Sequence, residues 1–137
     1  MAAPVGVKFA RRVFAWAGTY GLVVLLPQYF LIEKVGRDFP PPVTHPEYFY
    51  GFAGVAVAWQ LVFLTIARDP LRYRPVMLAA VVEKAGFGSV AVALFAQGRL
   101  SGQMFGAGVV DLLLGSLFVI AFLRTATASN GEPQSRN

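Results

Sequence analysis

The 137-residue chain has room for one domain, and a hydrophobic fraction of 56% with a mean hydropathy of +0.58 is too apolar for an ordinary water-soluble core. Charged residues make up only 14%, and the net charge of +5 comes from basic residues standing singly or in pairs beside apolar runs, which excludes a nucleic-acid-reading stripe and points to orientation in a membrane. With no cysteine in the sequence, disulfides, iron–sulfur clusters and thiolate nucleophiles are excluded as well.

A bilayer core of about 30 Å is crossed by about 20 apolar helical residues, and four segments reach that length. The expected fold is all-α: an integral membrane, antiparallel four-helix bundle forming a single domain over residues 1–125. The first span, residues 13–32 (VFAWAGTYGLVVLLPQYFLI), contains Pro27, which predicts a kink and a freed carbonyl for Gln28 or water to satisfy. The preceding "RRVF" is loosely similar to a twin-arginine signal. The apolar run after it has span length and no small-residue cleavage site, so a retained first helix is expected.

The connection to the second span carries "PPP" at 40–42, which favours an extended polyproline segment, and "THPE" at 44–47, which fits a capping box with Thr44 as N-cap and Glu47 reaching back. The lone histidine, His45, lies here and is read as a solvent-exposed loop residue. One histidine makes neither a bis-histidine haem site nor, without a cysteine pair, a zinc site. Tyr29, Phe30, Tyr48, Phe49 and Tyr50 form an aromatic belt at the same membrane interface.

The second span is residues 48–67. It is joined by "RDPLRYRP", with Asp69 as a turn cap, to the third span at 76–97, which opens at Pro75. The fourth is 104–123, where Gly102 and Gly106 make a G-x-x-x-G helix-packing motif; Gly86 and Gly88 beside the charged pair, Gly18 with Gly21, and Gly51 with Gly54 read likewise as small residues for close packing. Residues 126–137 are polar and small and are expected to be a disordered cytoplasmic tail.

On one side of the spans lie Lys8, Arg11, Arg12, Arg68, Arg72, Arg74, Arg124 and Arg136; on the other lie Lys34, Arg37 and Arg99. That excess places both termini of the multi-pass chain in the cytoplasm. Arg68, Arg72 and Arg74, around Tyr73, are candidates for binding anionic lipid headgroups, although topology marking alone accounts for them.

Glu83, Lys84 and Asp111 are the charges inside the spans, where each costs about 2.5 kcal/mol or more unless partnered. At about 1.5 Å per residue, Tyr20, Gln60 and Glu83 fall at one level roughly 12 Å from the basic side, and Asp111 lies deeper, at about 20 Å. Adjacent helical residues point about 100° apart, so Glu83 and Lys84 are not expected to satisfy each other. The expected pairing has Lys84 reaching Asp111, while Glu83 bonds with Gln60 and Tyr20. Such a layer reads either as a buried lock fixing the bundle's register or as a ligand or proton site, with a headgroup-edge placement through a shifted span as a third arrangement.

The run "YFYGFAGVAVAWQLVFLTIARDPLRYRPVMLAAVVEKAGFG", with "GRLS" and "DLLLGSLFVIAFLRT", resembles small bacterial four-helix membrane proteins that are broadly DoxX-like. The resemblance covers about residues 45–125, with "ARDPLRYRP" and "EKAGFG" its most distinctive parts. It implies a single four-helix inner-membrane domain. Some DoxX-like proteins are linked to quinone-dependent respiratory chemistry, but no motif here carries that chemistry over.

No nucleotide loop, nucleophile elbow or dinucleotide fingerprint is present, so no catalytic residue, cofactor or metal is assigned. The leading expectation is a non-enzymatic membrane protein, accessory to a larger complex or binding a small apolar ligand in its bundle. Its partners would be the bilayer and either another membrane protein or a second copy of the chain. The alternatives are a proton-linked transporter using Glu83, Lys84 and Asp111, and a membrane redox subunit.

Overall fold

A computed structural model describes residues 3–129. Five α-helices follow one another: α1 (Val5–Leu25), continued by a 3₁₀ turn over Leu26–Phe30; α2 (Ile32–Asp38); α3 (Pro46–Arg68); α4 (Val76–Ala96); and α5 (Gly102–Ser129). All but α2 are long and apolar enough to cross a membrane. They run up and down in alternation, so the two described chain ends lie at one end of the bundle, called here the terminal end.

Each long helix buries one stripe at helical spacing. On α3 it is Ala53, Ala56, Gln60, Phe63 and Ile66; on α4 it is Met77, Ala80, Lys84, Gly88 and Ala91. The opposite faces expose large apolar groups such as Trp16, Phe52, Val82 and Leu113, which lipid solvates at no cost. The helices pack in the lateral order α3, α1, α5, α4, and α3 touches α4 only lightly. That leaves a seam between α3 and α4.

Three rings close the core in the terminal half. Phe14 of α1 stacks on Phe118 of α5 with centroids 4.2 Å apart, and Phe63 of α3 meets Phe118 edge-on at 5.0 Å. All three are fully buried, among Ala10, Ala17, Ile66, Met77, Ala80 and Ala121. Lipid is as apolar as these side chains, so their contribution is close packing rather than escape from water.

Several local expectations are revised. The helix that carries span one begins at Val5, ahead of the apolar stretch that opens at residue 13, because "VGVKFARR" has no proline after Pro4 and its apolar positions Val7 and Ala10 pack on the bundle. Pro27 does not kink a continuous helix; it sits in the 3₁₀ turn that ends α1, and Gln28 Nε2 donates to the Val24 carbonyl at 3.4 Å. The capping box does not form. The helix starts at Pro46 with His45 rather than Thr44 as its N-cap and no side-chain capping bond; the His45 carbonyl accepts from the N–H groups of Tyr48 and Phe49, while His45 Nδ1 faces Glu47 Oε1 at 3.2 Å. Asp69 does cap its turn, accepting the Arg72 N–H at 3.2 Å.

Between spans one and two stands a helix the sequence reading did not anticipate, α2, tied by a Lys34–Asp38 ion pair across one turn. Lys34 holds the Asp38 carboxyl below its ordinary range by donating a hydrogen bond to it. The Pro40–Pro41 bond beyond it is cis. At the other end of the chain, α5 continues to Ser129, so the expected disordered tail from residue 126 starts no earlier than 130; residues 130–137 lie outside the described residues.

Of the glycines read as packing positions, Gly88, Gly18 and Gly21 mark close helix approaches, and Gly51, Gly86, Gly102 and Gly106 do not. A Cβ on Gly102 or Gly106 would meet nothing within 4 Å. A Cβ on Gly88 would strike Leu112 at 2.5 Å and the Gly108 carbonyl at 3.0 Å, and one on Gly18 would lie 2.9 Å from the Gln60 carbonyl. The intimate contacts are therefore α4 with α5 and α1 with α3. Gly88→Ala and Gly18→Ala should lower the thermal unfolding midpoint in detergent. Gly106→Ala should leave it unchanged or raise stability by up to about 1 kcal/mol, since only helix propensity changes there.

Candidate functional site

The α4 stripe brings Lys84 inward between Ala80 and Gly88, one helical turn away on either side. Its ammonium lies 3.1 Å from Asp111 Oδ1 on α5, to which it donates a hydrogen bond. It lies 3.4 Å from Glu83 Oε2 and 5.4 Å from the centroid of the Phe63 ring on α3, within cation–π range. The Lys84 side chain is 8% exposed, and those of Glu83 and Asp111 are each 19% exposed.

This local geometry follows from neighbouring residue sizes. Gly115 of α5 faces the Lys84 stem, where an added Cβ would come within 3.3 Å of Lys84 Cβ. The stem therefore passes close to α5, and Asp111, one turn before Gly115 in sequence, receives its end. Phe63 lies three residues beyond Gln60 on the buried stripe of α3, so its ring faces the same interior. Lys84 thus joins α4 to α5 by an ion pair and reaches α3 across the seam.

The expected Lys84–Asp111 contact is present. The expected layer of Glu83 with Gln60 and Tyr20 is not. Gln60 is 2% exposed, but its Nε2 donates at 2.9 Å to the Ala56 carbonyl one turn back on its own helix. Its Oε1 is buried without a hydrogen bond, and the amide lies where a Cβ on Gly21 of α1 would be. Tyr20 is 40% exposed on the outside of α1. Depth places these groups at one level, but the rotation of each helix sends them to different neighbours.

Glu83 also departs from expectation by sharing Lys84 with Asp111. The 100° between adjacent Cβ atoms is overcome by the four-carbon lysine stem, which folds back toward its own neighbour. The Glu83 Oε2 atom is buried and has no hydrogen bond. Two carboxylates therefore address one ammonium. Phe63 is the contact that sequence reasoning missed; its position one turn from buried Gln60 was the available signal.

The basic-end candidates separate in the same way. Arg74 donates from Nε to the Phe122 carbonyl at 3.2 Å and lies 3.9 Å over the Phe122 ring, tying the loop to α5. Arg68 and Arg72 are exposed. His45 is exposed at the opposite end, beside Tyr48.

Two open grooves are found on the surface. One, of about 510 Å³, lies at α2 and the following loop, lined by Ile32, Glu33, Gly36, Arg37, Pro42 and Val43; the other, of about 180 Å³, lies between α4 and α5, lined by Val81, Ala85 and Leu112 among others. Neither is lined by Glu83, Lys84 or Asp111.

Four spanning-length apolar helices in alternating directions, with the charged side chains of two of them turned inward, define the class: an all-α, multi-pass membrane protein built as an antiparallel four-helix bundle. Compared with protein-family models, curated proteins and solved structures, the chain matches none.

Lys84→Met should destabilise the bundle by about 2 kcal/mol or more, because two carboxylates lose their only cation. Asp111→Asn should cost less, since Glu83 still faces the ammonium. The double variant Lys84→Met/Asp111→Asn should recover part of the loss, and unfolding of the four-protein cycle in detergent measures that coupling.

Proposed function

We propose that the chain is a non-enzymatic accessory protein of the inner membrane, with both termini in the cytoplasm. In this reading, Glu83, Lys84 and Asp111 are the lock that holds its helices in one arrangement. The observation that carries it is the position of Lys84: one side chain touches a carboxylate on α5, a ring on α3 and a carboxylate on its own helix. A buried ion pair contributes little net stability but penalises every arrangement that separates its members, which suits a bundle whose α3–α4 contact is slight. The basic excess at the terminal end supports the orientation. The resemblance to DoxX-like proteins belongs to the same reading and rests on the residues alone.

A second reading, proton-linked transport, has one specific observation in its favour. Two carboxylates face one ammonium, and Glu83 Oε2 is buried without a hydrogen bond, so the cluster is one positive charge short of neutral. A proton is the smallest cation that balances it.

Single replacements separate the two readings. Glu83→Gln, Lys84→Met and Asp111→Asn are each scored for thermal stability, for growth of a strain that depends on the gene, and for acidification of vesicles carrying the purified protein and an internal pH dye. The lock reading expects growth to follow stability and no proton flux in the wild type. Wild-type flux that Glu83→Gln abolishes while the bundle keeps its stability would sink it and establish the second reading.

A further inference from the structure

At the terminal end the described residues carry seven basic side chains, Lys8, Arg11, Arg12, Arg68, Arg72, Arg74 and Arg124, and one acidic one, Asp69. The opposite end balances Lys34, Arg37 and Arg99 against Glu33, Asp38 and Glu47, and two of those bases lie against Asp38. The asymmetry is therefore confined to one end. Within it, Arg74 and Arg124 are held over rings of other segments, Phe122 at 3.9 Å and Phe9 at 4.7 Å, whereas Arg72 reaches only the ring of its chain neighbour Tyr73, at 5.6 Å. Asp69 is occupied as a turn cap, accepting the Arg72 backbone N–H.

The other five bases are exposed, as is Arg124, and none of the seven lies within ion-pair distance of a carboxylate among the described residues. Arg11 Nη2 donates to the backbone carbonyl of Arg68 at 3.5 Å, at the C-terminal end of α3, so the basic positions of α1 and α3 lie side by side. That bond goes to the main chain and leaves both positive charges without a carboxylate partner among the described residues, open to an external anion.

Depth identifies the anion. Arg12 directly precedes the apolar stretch of α1, and Arg68 directly follows that of α3, so their side chains start at the edge of the hydrocarbon. Because α1 begins at Val5, Lys8 stands one further turn out on rigid helix rather than on a loose leader. The headgroup layer is about 5 to 7 Å thick on each side of the hydrocarbon, which is where long basic side chains snorkel and where phospholipid phosphates lie. An acidic protein in solution would have to displace those phosphates first.

We propose that Lys8, Arg11, Arg12, Arg68 and Arg72 form a collar that binds the phosphodiester headgroups of anionic phospholipid, centred on Arg11 and Arg68. Relative to the sequence reading, Arg74 leaves the set and the α1 bases enter it.

The test uses the full chain in detergent micelles doped with phosphatidylglycerol or, at equal concentration, with phosphatidylcholine. Phosphatidylglycerol should raise the unfolding midpoint, salt should erase the rise, and phosphatidylcholine should not reproduce it. Arg11→Gln/Arg68→Gln should lose most of the rise, while Arg37→Gln/Arg99→Gln at the opposite end should keep it. If the first double variant does not fold, Lys8→Gln/Arg12→Gln removes charge from exposed positions of the same collar and should show a reduced rise. An equal response to phosphatidylcholine, or a full response to phosphatidylglycerol in the collar variants, would overturn the proposal. So would a midpoint rise with inorganic phosphate or a poly-glutamate peptide that phosphatidylglycerol fails to give, since either would assign the collar to a soluble anion.

Discussion

A lysine ammonium placed inside an apolar bundle must find acceptors there, because lipid offers none and water is far away. Much of this structure is arranged around that demand. Lys84 faces inward on the same stripe as Met77 and Ala80, its stem passes Gly115, and its end meets Asp111 and Glu83 with Phe63 opposite. Turning α4 about its axis would present the charge to lipid, at a cost of several kcal/mol. Lys84 therefore restricts the rotation of α4, and the small residues Gly88 and Gly108 let it approach α5 closely.

The rest of the bundle divides into two contacts of a different kind. Toward the terminal end, Phe14, Phe63 and Phe118 fill the space between three helices, and small residues around them let the backbones approach. Farther along, α1 stays with α3 through Gly18 and Gly21, and α4 stays with α5, but the two pairs are less engaged with each other across the seam. The charged cluster belongs to the second pair and reaches the first through the Phe63 ring. Apolar packing gives the assembly its contact area, while the ionic cluster restricts which of many similar packings is adopted.

Much of the fold was legible in the residues, because span length and hydropathy are properties of a local stretch of chain. The helix bounds at Arg68 and Val76 followed from Asp69, Pro70 and Pro75, each of which acts on its own neighbours. The start of α1 was not legible in that way: residues 5–12 are too charged to be read as membrane-spanning, yet nothing in them interrupts a helix. The unanticipated α2 is a single short turn pair held by Lys34 and Asp38, below the length at which periodicity is informative. For the site, Lys84 with Asp111 was legible because few buried charges leave few pairings. Gln60 was misassigned because a glutamine has the option, invisible in a depth estimate, of bonding back to its own helix at Ala56.

The sequence by itself determined the class of protein, the number of spans, the end that carries the basic excess and the three charges that must face inward. Each of these depends on composition along one dimension and on the energetic cost of charge in lipid. Only the tertiary structure decided which helices are neighbours, that Glu83 and Asp111 share a single ammonium, that Gln60 rests against Gly21, and that Arg11 meets Arg68 while Arg74 is bound to α5. These choices depend on the rotation of each helix about its axis and on its lateral order in the membrane. Both are settled jointly by all the packing contacts, and a pattern of apolar residues on one helix leaves them free.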